Sequence, residues 1–157
     1  MKTLFPLLAA LALFVMLSPA HADEFYLEGR YGVEVTDFDN IEDGQQLKAA
    51  FGYDFEPIRI EAEYAWGNHA DSELAGMAYY DIVLDSKFTP FIGAGAGVMV
   101  EDIFDFEFGG AFWKVGAGVA YGISDSVDLT AALTYRREFD DSDNDRTEVY
   151  IGTRVSF

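Results

Sequence analysis

Charged side chains of opposite sign recur at alternating positions of the chain, where they could form ion pairs. Arg30 follows Glu28 by two residues, so both lie on one face of an extended segment. Asp54 and Arg59 flank Glu56-Pro57. Because Pro favours turns and cannot donate to a sheet ladder, we expect a two-residue hairpin loop there. In such a hairpin Asp54 and Arg59 lie directly opposite each other.

A second group of charges lies near the C-terminus. Extrapolation across the last hairpin places Arg136 opposite Glu148, and Arg154 shares a face with Glu148. Two interpretations of these charges are open. They form a structural polar core, in which pairing offsets the cost of burial, or they exchange partners and gate a narrow pore.

One segment carries the residue types of a nucleophilic enzyme. Such a site needs a Ser and a His with an orienting carboxylate. His69 is the only histidine after residue 22, and Ser72 and Glu73 are close to it in sequence. Neighbours on one tight loop rarely converge as a triad, so a solvated loop histidine is the favoured interpretation.

Acidic residues are frequent between the alternating segments. Asp141, Asp143 and Asp145 imitate the start of a calcium loop, but the sixth position is Arg146 where Gly is needed. An EF-hand is therefore excluded. The three aspartates are weak metal candidates, because hard cations bind clustered carboxylates. The favoured role of these acids is to keep the surface soluble.

The elements that must position these residues are β-strands, since apolar residues recur with period two. The pattern predicts eight strands: Phe25–Val35, Gln46–Phe55, Ile58–Trp66, Leu74–Leu84, Phe91–Glu101, Phe112–Tyr121, Val127–Glu138 and Thr147–Phe157. The stretch Ile103–Phe108 also alternates. It either extends the fifth strand or forms a contact surface for a partner.

The two faces of these strands differ in charge. The face taken as outward carries no charged residue in this interpretation, although 24% of the chain is charged. Six cations fall on the inward face: Arg30, Lys48, Arg59, Lys114, Arg136 and Arg154. A water-soluble barrel would show the reverse arrangement. The pattern therefore predicts lipid outside and a polar interior.

An even number of strands closes a sheet without exposed edges, as lipid requires. The short connections all fall on one side, expected to be periplasmic, and the longer ones on the other. Aromatic residues sort to the same two ends and predict two interfacial girdles: Phe25, Phe55, Tyr121 and Phe157, and Tyr64, Trp66, Trp113 and Tyr135. The predicted fold is an all-β, eight-stranded antiparallel transmembrane up-and-down β-barrel.

Glycines are concentrated on the inward face of two adjacent predicted strands, at Gly93, Gly95, Gly97, Gly116 and Gly118. We expect them to make room for long side chains such as Arg30 or Arg154. A small water-filled cavity is equally compatible with this pattern.

The N-terminus has the order of a secretory signal peptide. Lys2 precedes the apolar run from Leu4 to Leu17, and Ala20-His21-Ala22 gives an A-x-A cleavage site. We predict a cleaved signal peptide at 1–22 and one barrel domain at 23–157. The absence of cysteine excludes disulfides, thiolate metal sites and a lipid-anchored N-terminus. A net charge of −18 excludes a nucleic-acid partner.

The signal peptide, the P-F-I-G-A-G-A-G-V stretch from Pro90 to Val98 and the terminal Val155-Ser156-Phe157 carry a family resemblance. The chain resembles the small eight-stranded outer-membrane barrels, which include opacity-like surface proteins and the membrane domain of the outer membrane protein A family. The resemblance implies a bacterial outer-membrane location. It also implies contact with outer-membrane lipid and lipopolysaccharide, and recognition of Phe157 by the barrel-assembly machinery. We expect a monomer without a cofactor.

The predicted function is an envelope-structural or surface-interaction role without catalysis. Eight strands leave no open channel by geometry alone, which favours a structural interior. A narrow pore for ions or small solutes is the first alternative. A lipid-modifying enzyme of the outer membrane is the second.

Overall fold

The computed structural model describes residues 25–35, 44–67, 72–102, 107–140 and 145–157. These residues form eight strands: β1 (Phe25–Val35), β2 (Gly44–Asp54), β3 (Ile58–Gly67), β4 (Ser72–Asp81), β5 (Phe88–Asp102), β6 (Glu107–Ser124), β7 (Val127–Glu138) and β8 (Arg146–Ser156). Within these ranges no helix is long and apolar enough to cross a membrane.

The strands form one closed barrel in sequence order. Each pairs antiparallel with its neighbours, and β1 closes the sheet against β8 from Tyr26↔Ser156 to Val35↔Thr147. The predicted eight-stranded antiparallel barrel is confirmed. We call the end with the connections β2–β3, β4–β5 and β6–β7 the turn end, and the opposite end the loop end. The predicted division into short and longer connections fails for β4–β5, which spans 82–87 and is longer than the four-residue connections β3–β4 and β5–β6. Both β1 and β8 have their chain-terminal residues at the turn end.

The first hairpin of the turn end is set by local hydrogen bonds. The Phe55 amide donates to the Ile58 carbonyl at 2.7 Å, and the Glu56 amide donates to Asp54 Oδ1 at 2.8 Å. Pro57 ends the ladder of β3, and its carbonyl accepts from Asp81 at 2.8 Å. These bonds fix the register in which Asp54 faces Arg59.

The predicted fourth strand is too long. It was expected to reach Leu84, but β4 ends at Asp81 and the next three residues are exposed in the turn. Beyond Asp81 the strand has no β3 residue to pair with, because β3 begins at Ile58 opposite Tyr80. Alternating apolar residues therefore continue past the end of the ladder, and the pattern could not mark its boundary.

The hairpin of β5 and β6 is longer than the others, with strands of 15 and 18 residues. On one side it extends past Ser72, the first residue of β4, which faces Val100. On the other side it extends past Glu138, the last residue of β7, which faces Phe112. Register shifts occur on either side of Val100. Within the stretch Ile103–Phe108, Glu107 and Phe108 begin β6, and residues 103–106 lie outside the described residues, so neither interpretation of the stretch is tested.

Burial alternates along most of the strands as the faces require, but Val100 and Val155, which have outward parity in the predicted strands, are buried. Apolar outward side chains such as Ile92 and Ile151 are exposed, and inward charges are buried. Arg137 is the exception to the predicted uncharged outward face. It has outward parity on β7 at the loop end, its side chain is 39% exposed, and its Nε lies 3.4 Å from Asp145 Oδ1. A rim position explains this charge, because lipid headgroups and water reach it.

The inward glycines make room for bulky side chains, as expected, but not for arginines. The space beside Gly93 is filled by Tyr79, that beside Gly95 by Met77 and that beside Gly97 by Phe112. These rings and the thioether come from neighbouring strands. The arginines instead lie where acids can pair with them.

We expect Gly95→Val to destabilise the barrel. A Cβ at this position would collide with the backbone carbonyl of Gly76 and would lie 2.9 Å from Met77 Cα, so backbone must move. The expected loss is about 1–3 kcal/mol, typical of an overpacked core. Urea unfolding in detergent micelles measures it.

Gly29→Val is the matched control, because a Cβ there meets nothing within 4 Å. It should leave the unfolding midpoint unchanged. Equal loss in both variants would contradict the tight approach at Gly95.

Candidate functional site

The barrel interior is an ionic core. Twelve charged residues are buried, six of each sign. The cations are Arg30, Lys48, Arg59, Lys114, Arg136 and Arg154, and the acids are Glu28, Glu61, Glu63, Glu73, Asp81 and Glu148. The cations are the six whose inward orientation the strand pattern predicted. Their number matches that of the buried acids, so the core needs no net counter-charge.

Arg30 is the centre of this core. Its Nη2 donates to Glu28 at 2.9 Å and to Glu61 at 2.8 Å, and its Nη1 donates to Glu61 and Glu63 at 2.7 Å each. The guanidinium also lies 5.0 Å from the ring centroid of Tyr150. The planar fork of Arg suits such multiple carboxylate contacts. Arg30 therefore joins β1 to β3 across the lumen.

Toward the loop end, two glutamates bridge several cations. Lys114 Nζ donates to Glu63 at 2.6 Å and lies 3.1 Å from Glu73. Lys48 contacts Glu63 at 3.7 Å, and Arg136 donates to Glu73. Each bridging carboxylate thus has more than one cationic partner. The resulting chain of contacts crosses the lumen from β2 and β6 to β3 and β4.

Toward the turn end, Arg59 forms a bidentate pair with Asp81, at 2.6 Å from Nε and 2.9 Å from Nη2. Its Nη1 donates to the Tyr26 hydroxyl at 3.3 Å, and that hydroxyl donates to Glu61 at 2.9 Å. The guanidinium lies 4.8 Å from the Tyr79 ring centroid. Aromatic faces and acids therefore hold this arginine from several sides.

Asp54 and Arg59 are opposite each other, as predicted, but they do not form the expected ion pair. Asp54 Oδ1 instead accepts the Glu56 amide within the turn. Arg59 reaches sideways to Asp81 on the neighbouring strand. A carboxylate at a tight turn can satisfy a backbone donor, and this local bond competes with pairing across the hairpin.

The predicted pairing of Arg136 with Glu148 is wrong. The register of β7 and β8 places Arg136 opposite Arg146 and Thr134 opposite Glu148. The partner of Arg136 is therefore displaced by two positions from the predicted one, which leaves Glu148 on the inward face. Glu148 is bound by Lys48, and Arg136 donates to Glu138 at 2.9 Å besides Glu73.

Glu28, Arg30 and Arg154 are brought together as a group. Arg154 Nε lies 3.6 Å from Glu28 Oε2, and Nη1 lies 3.9 Å from Asp128 Oδ2. Thr130 donates to the other oxygen of Glu28 at 2.6 Å. Glu28 therefore connects the centre of the ionic core to its turn end.

Two of the three residues considered for catalysis are described by the structure. Glu73, expected in a loop, is a buried β4 residue that contacts Lys114 and Arg136. Ser72 is the first residue of β4. His69 lies outside the described residues. A carboxylate that already contacts two cations is a poor orienting group for a histidine.

Of the three weak metal candidates, the structure describes only Asp145. Asp145 accepts a hydrogen bond from the Tyr135 hydroxyl at 2.6 Å and faces Arg137. Asp141 and Asp143 lie outside the described residues. In the part of the chain that the structure describes, no three His, Cys, Asp or Glu side chains are grouped to hold a metal ion.

Two cavities of different size lie at the two ends of the lumen. The cavity at the loop end has a volume of about 10 Å³ and is lined by Glu34, Gln46, Glu73, Lys114, Thr134, Arg136, Arg146 and Glu148. The cavity at the turn end has a volume of about 510 Å³. Since a buried water needs roughly 10–15 Å³ of cavity volume, the loop-end cavity has room for about one water.

The predicted girdle aromatics lie on the outward face at the two ends of the strands. At the loop end Tyr64 packs edge-on against Trp66 at 4.4 Å between centroids, and Trp113 lies 5.5 Å from Tyr135. At the turn end Phe25, Phe55, Tyr80, Phe88 and Tyr121 are exposed, and Phe157 is half-buried. Phe88 was missed because it was assigned to a turn, whereas it is the first residue of β5 and packs on Tyr121 at 4.9 Å.

Glu61, Glu63 and Lys114 contribute much of the ionic core but were not selected as site residues. The alternation of apolar and polar residues along their strands predicted that these side chains point inward. Apart from Lys48, which contacts Glu63 from the adjacent strand, their ion-pair partners lie on strands that are not neighbours in the sheet, and hairpin register says nothing about contacts across the lumen. A count of inward acids against inward cations was the one signal available for them.

We expect Glu63→Gln to destabilise the barrel strongly. Glu63 contacts Arg30, Lys48 and Lys114, so its neutralisation leaves buried cations undercompensated. Breaking a buried pair by removing one partner costs about 3–5 kcal/mol. Urea unfolding in micelles should show a lower midpoint.

Glu56→Gln is the matched control, since Glu56 is exposed in the first turn. It should leave the midpoint within error of the wild-type value. If Glu63→Gln behaved like this control, the ionic core would not be a determinant of stability.

Comparisons with known proteins agree with this architecture. The family model of the outer membrane protein beta-barrel domain matches residues 7–157. No curated protein matches the chain. Similar solved structures include the N-terminal β-barrel domain of Pseudomonas aeruginosa OprF, with a TM-score of 0.69 at 13% identity, covering 86% of this chain and 98% of that one.

Two further structures have the same fold. Neisserial surface protein A has a TM-score of 0.64 at 18% identity, covering 85% of this chain and 96% of that one. The outer membrane enzyme PagL has a TM-score of 0.54 at 13% identity, covering 84% and 99%. At these identities the likeness shows the fold alone. The family match over nearly the whole length shows more: the chain belongs to the outer membrane protein β-barrel domain family.

Proposed function

We propose that this outer-membrane barrel has an envelope-structural or surface-interaction role, and that it neither conducts nor catalyses. The observation that carries the proposal is the ionic core. Among the described residues, twelve buried charges of balanced sign occupy the lumen, and the loop-end cavity between Glu73, Lys114 and Arg136 has room for about one water. A path for hydrated ions would need several of these contacts to break together.

The outward face supports the proposed lipid partners. Exposed apolar side chains cover the middle of the barrel, and aromatic pairs such as Tyr64 and Trp66 lie at its ends. Arg137 adds a cation at the loop-end rim, where it could meet a lipopolysaccharide phosphate. Phe157 is the residue we propose for recognition by the barrel-assembly machinery, and its amide donates to Phe25 at 3.0 Å.

The long β5–β6 hairpin supports a surface-interaction role. It rises past the ends of β4 and β7, so its last residues have no strand beside them in the barrel. Phe108 on this extension is 53% exposed. An apolar ring above the membrane rim suits contact with a partner at the cell surface, which is what a surface-interaction role requires.

A gated pore is the second candidate, and a specific observation favours it. Lys114 lies within reach of both Glu63 and Glu73, at 2.6 and 3.1 Å. Arg136 also contacts two acids, Glu73 and Glu138. Cations with two available acids could exchange partners and open a transient path.

Planar-bilayer recording separates these candidates. We expect the wild-type protein to show no sustained conductance, because the core is closed. Conductance steps in the wild type that Arg136→Ala shifts or abolishes would favour the pore. Arg137→Ala is the control, since this neighbouring residue faces outward and should have no effect on current.

Catalysis is tested by the lipid itself. PagL shares the fold and is an enzyme, and Ser72 lies at the loop-end start of β4 in this chain. Because Glu73 is held by Lys114 and Arg136, we expect expression in a Gram-negative host to leave the mass of lipid A unchanged. A change in mass that His69→Ala removes would contradict the non-catalytic role.

A further inference from the structure

The cavity of about 510 Å³ at the turn end has no part in the proposed function. We call it the cup. Five carboxylates lie along it, those of Asp54, Glu56, Asp81, Asp125 and Asp128, together with the guanidinium of Arg154. Its size lies within the roughly 300–1,000 Å³ of small-molecule sites. Asp81 is already neutralised by Arg59, which leaves four acids and one cation for an occupant.

Arg154 is poorly satisfied for a buried arginine. It is 5% exposed, and its Nε and Nη2 have no hydrogen-bond partner. Its ion-pair contacts, 3.6 Å to Glu28 and 3.9 Å to Asp128, are longer than hydrogen bonds. Arg59, at the same end of the lumen, makes bonds of 2.6 and 2.9 Å to Asp81. Arg154 therefore has donor capacity that a carboxylate entering the cup would use.

The acidic wall of the cup favours an occupant with a positive charge. Asp128 faces Arg154 across β7 and β8 and is only partly buried. Asp125, which precedes Asp128 in the chain, lies at the rim of the cup and is exposed. A simple anion would meet this acidic wall, and a simple cation would leave the Nε and Nη2 of Arg154 without a hydrogen-bond acceptor. A molecule that carries both charges satisfies both parts.

We propose that the cup binds a zwitterion of the amino-acid or short-peptide class. Its carboxylate lies on the Arg154 guanidinium, and its ammonium group lies on the Asp125 and Asp128 carboxylates. The Tyr26 ring, whose centroid is 5.3 Å from the Arg154 guanidinium, supports the arginine from below. Arg154 belongs both to the ionic core and to the lining of the cup, so the site lies at the turn-end boundary of the core.

The test uses the refolded full chain in detergent micelles and the probe L-alanyl-L-alanine. Nuclear magnetic resonance of the ¹⁵N-labelled protein should show a saturable shift of the Arg154 side-chain signal. N-acetylation or C-terminal amidation of the probe should each weaken binding about tenfold or more, since each removes one charged contact. Arg154→Gln and Asp128→Asn should both weaken binding of the free dipeptide.

Asp85→Asn is the control variant, because it removes one carboxylate from the turn end without lining the cup. It should bind as the wild type does. If Arg154→Gln does not refold, Asp125→Asn at the exposed rim replaces it, with a weaker expected effect of the same direction.

Three results would overturn the proposal. One is the absence of a saturable shift up to about 50 mM dipeptide, because a dissociation constant above that concentration would mean that the cup has almost no affinity for the probe. Another is equal affinity for the free, acetylated and amidated probes, which would mean that charge is not recognised. The third is a loss of binding in Asp85→Asn equal to that in Asp128→Asn. It would mean that binding depends on the net charge of the turn end and not on the residues that line the cup.

Discussion

An ionised side chain inside a lipid-embedded barrel must have an opposite charge beside it, and most of this structure follows from that requirement. Water cannot solvate a closed core, and lipid cannot solvate the outside of a charged wall. The lumen therefore carries equal numbers of buried cations and acids. Strand register, the position of Arg30 among three glutamates and the narrow loop end are all compatible with that balance.

The same requirement divides the interior into parts with different properties. Near Glu63 and Glu73 each carboxylate is shared by more than one cation, so no polar group there depends on a single partner. Near Arg154 the contacts are long and two guanidinium nitrogens are unbonded. Stability is concentrated in the first region, and the capacity to accept a new partner in the second.

The fold could be predicted from the sequence because alternation is a local property. Each strand shows its own lipid and lumen faces, and β1 and β7 have the predicted bounds. Boundaries failed where apolar residues continue beyond the ladder, as after Asp81. Pairings failed for a different reason: the partners of Arg59 and Arg136 lie on other strands than those their hairpins suggested. The period-two spacing of the sequence predicts which side chains point inward. Contacts across the lumen depend instead on side-chain length and on which strands the closed barrel brings together.

The ion pairs across the lumen also constrain how the barrel can enter a membrane. Arg30 of β1 depends on acids of β3, Lys114 of β6 on acids of β3 and β4, and Lys48 of β2 on an acid of β8. An isolated hairpin would carry uncompensated charges into hydrocarbon, at a cost of several kcal/mol for each. Stepwise insertion of single hairpins is therefore unfavourable. Closure of the sheet and transfer into the bilayer must be concerted, with the first and last strands meeting before the charges leave water.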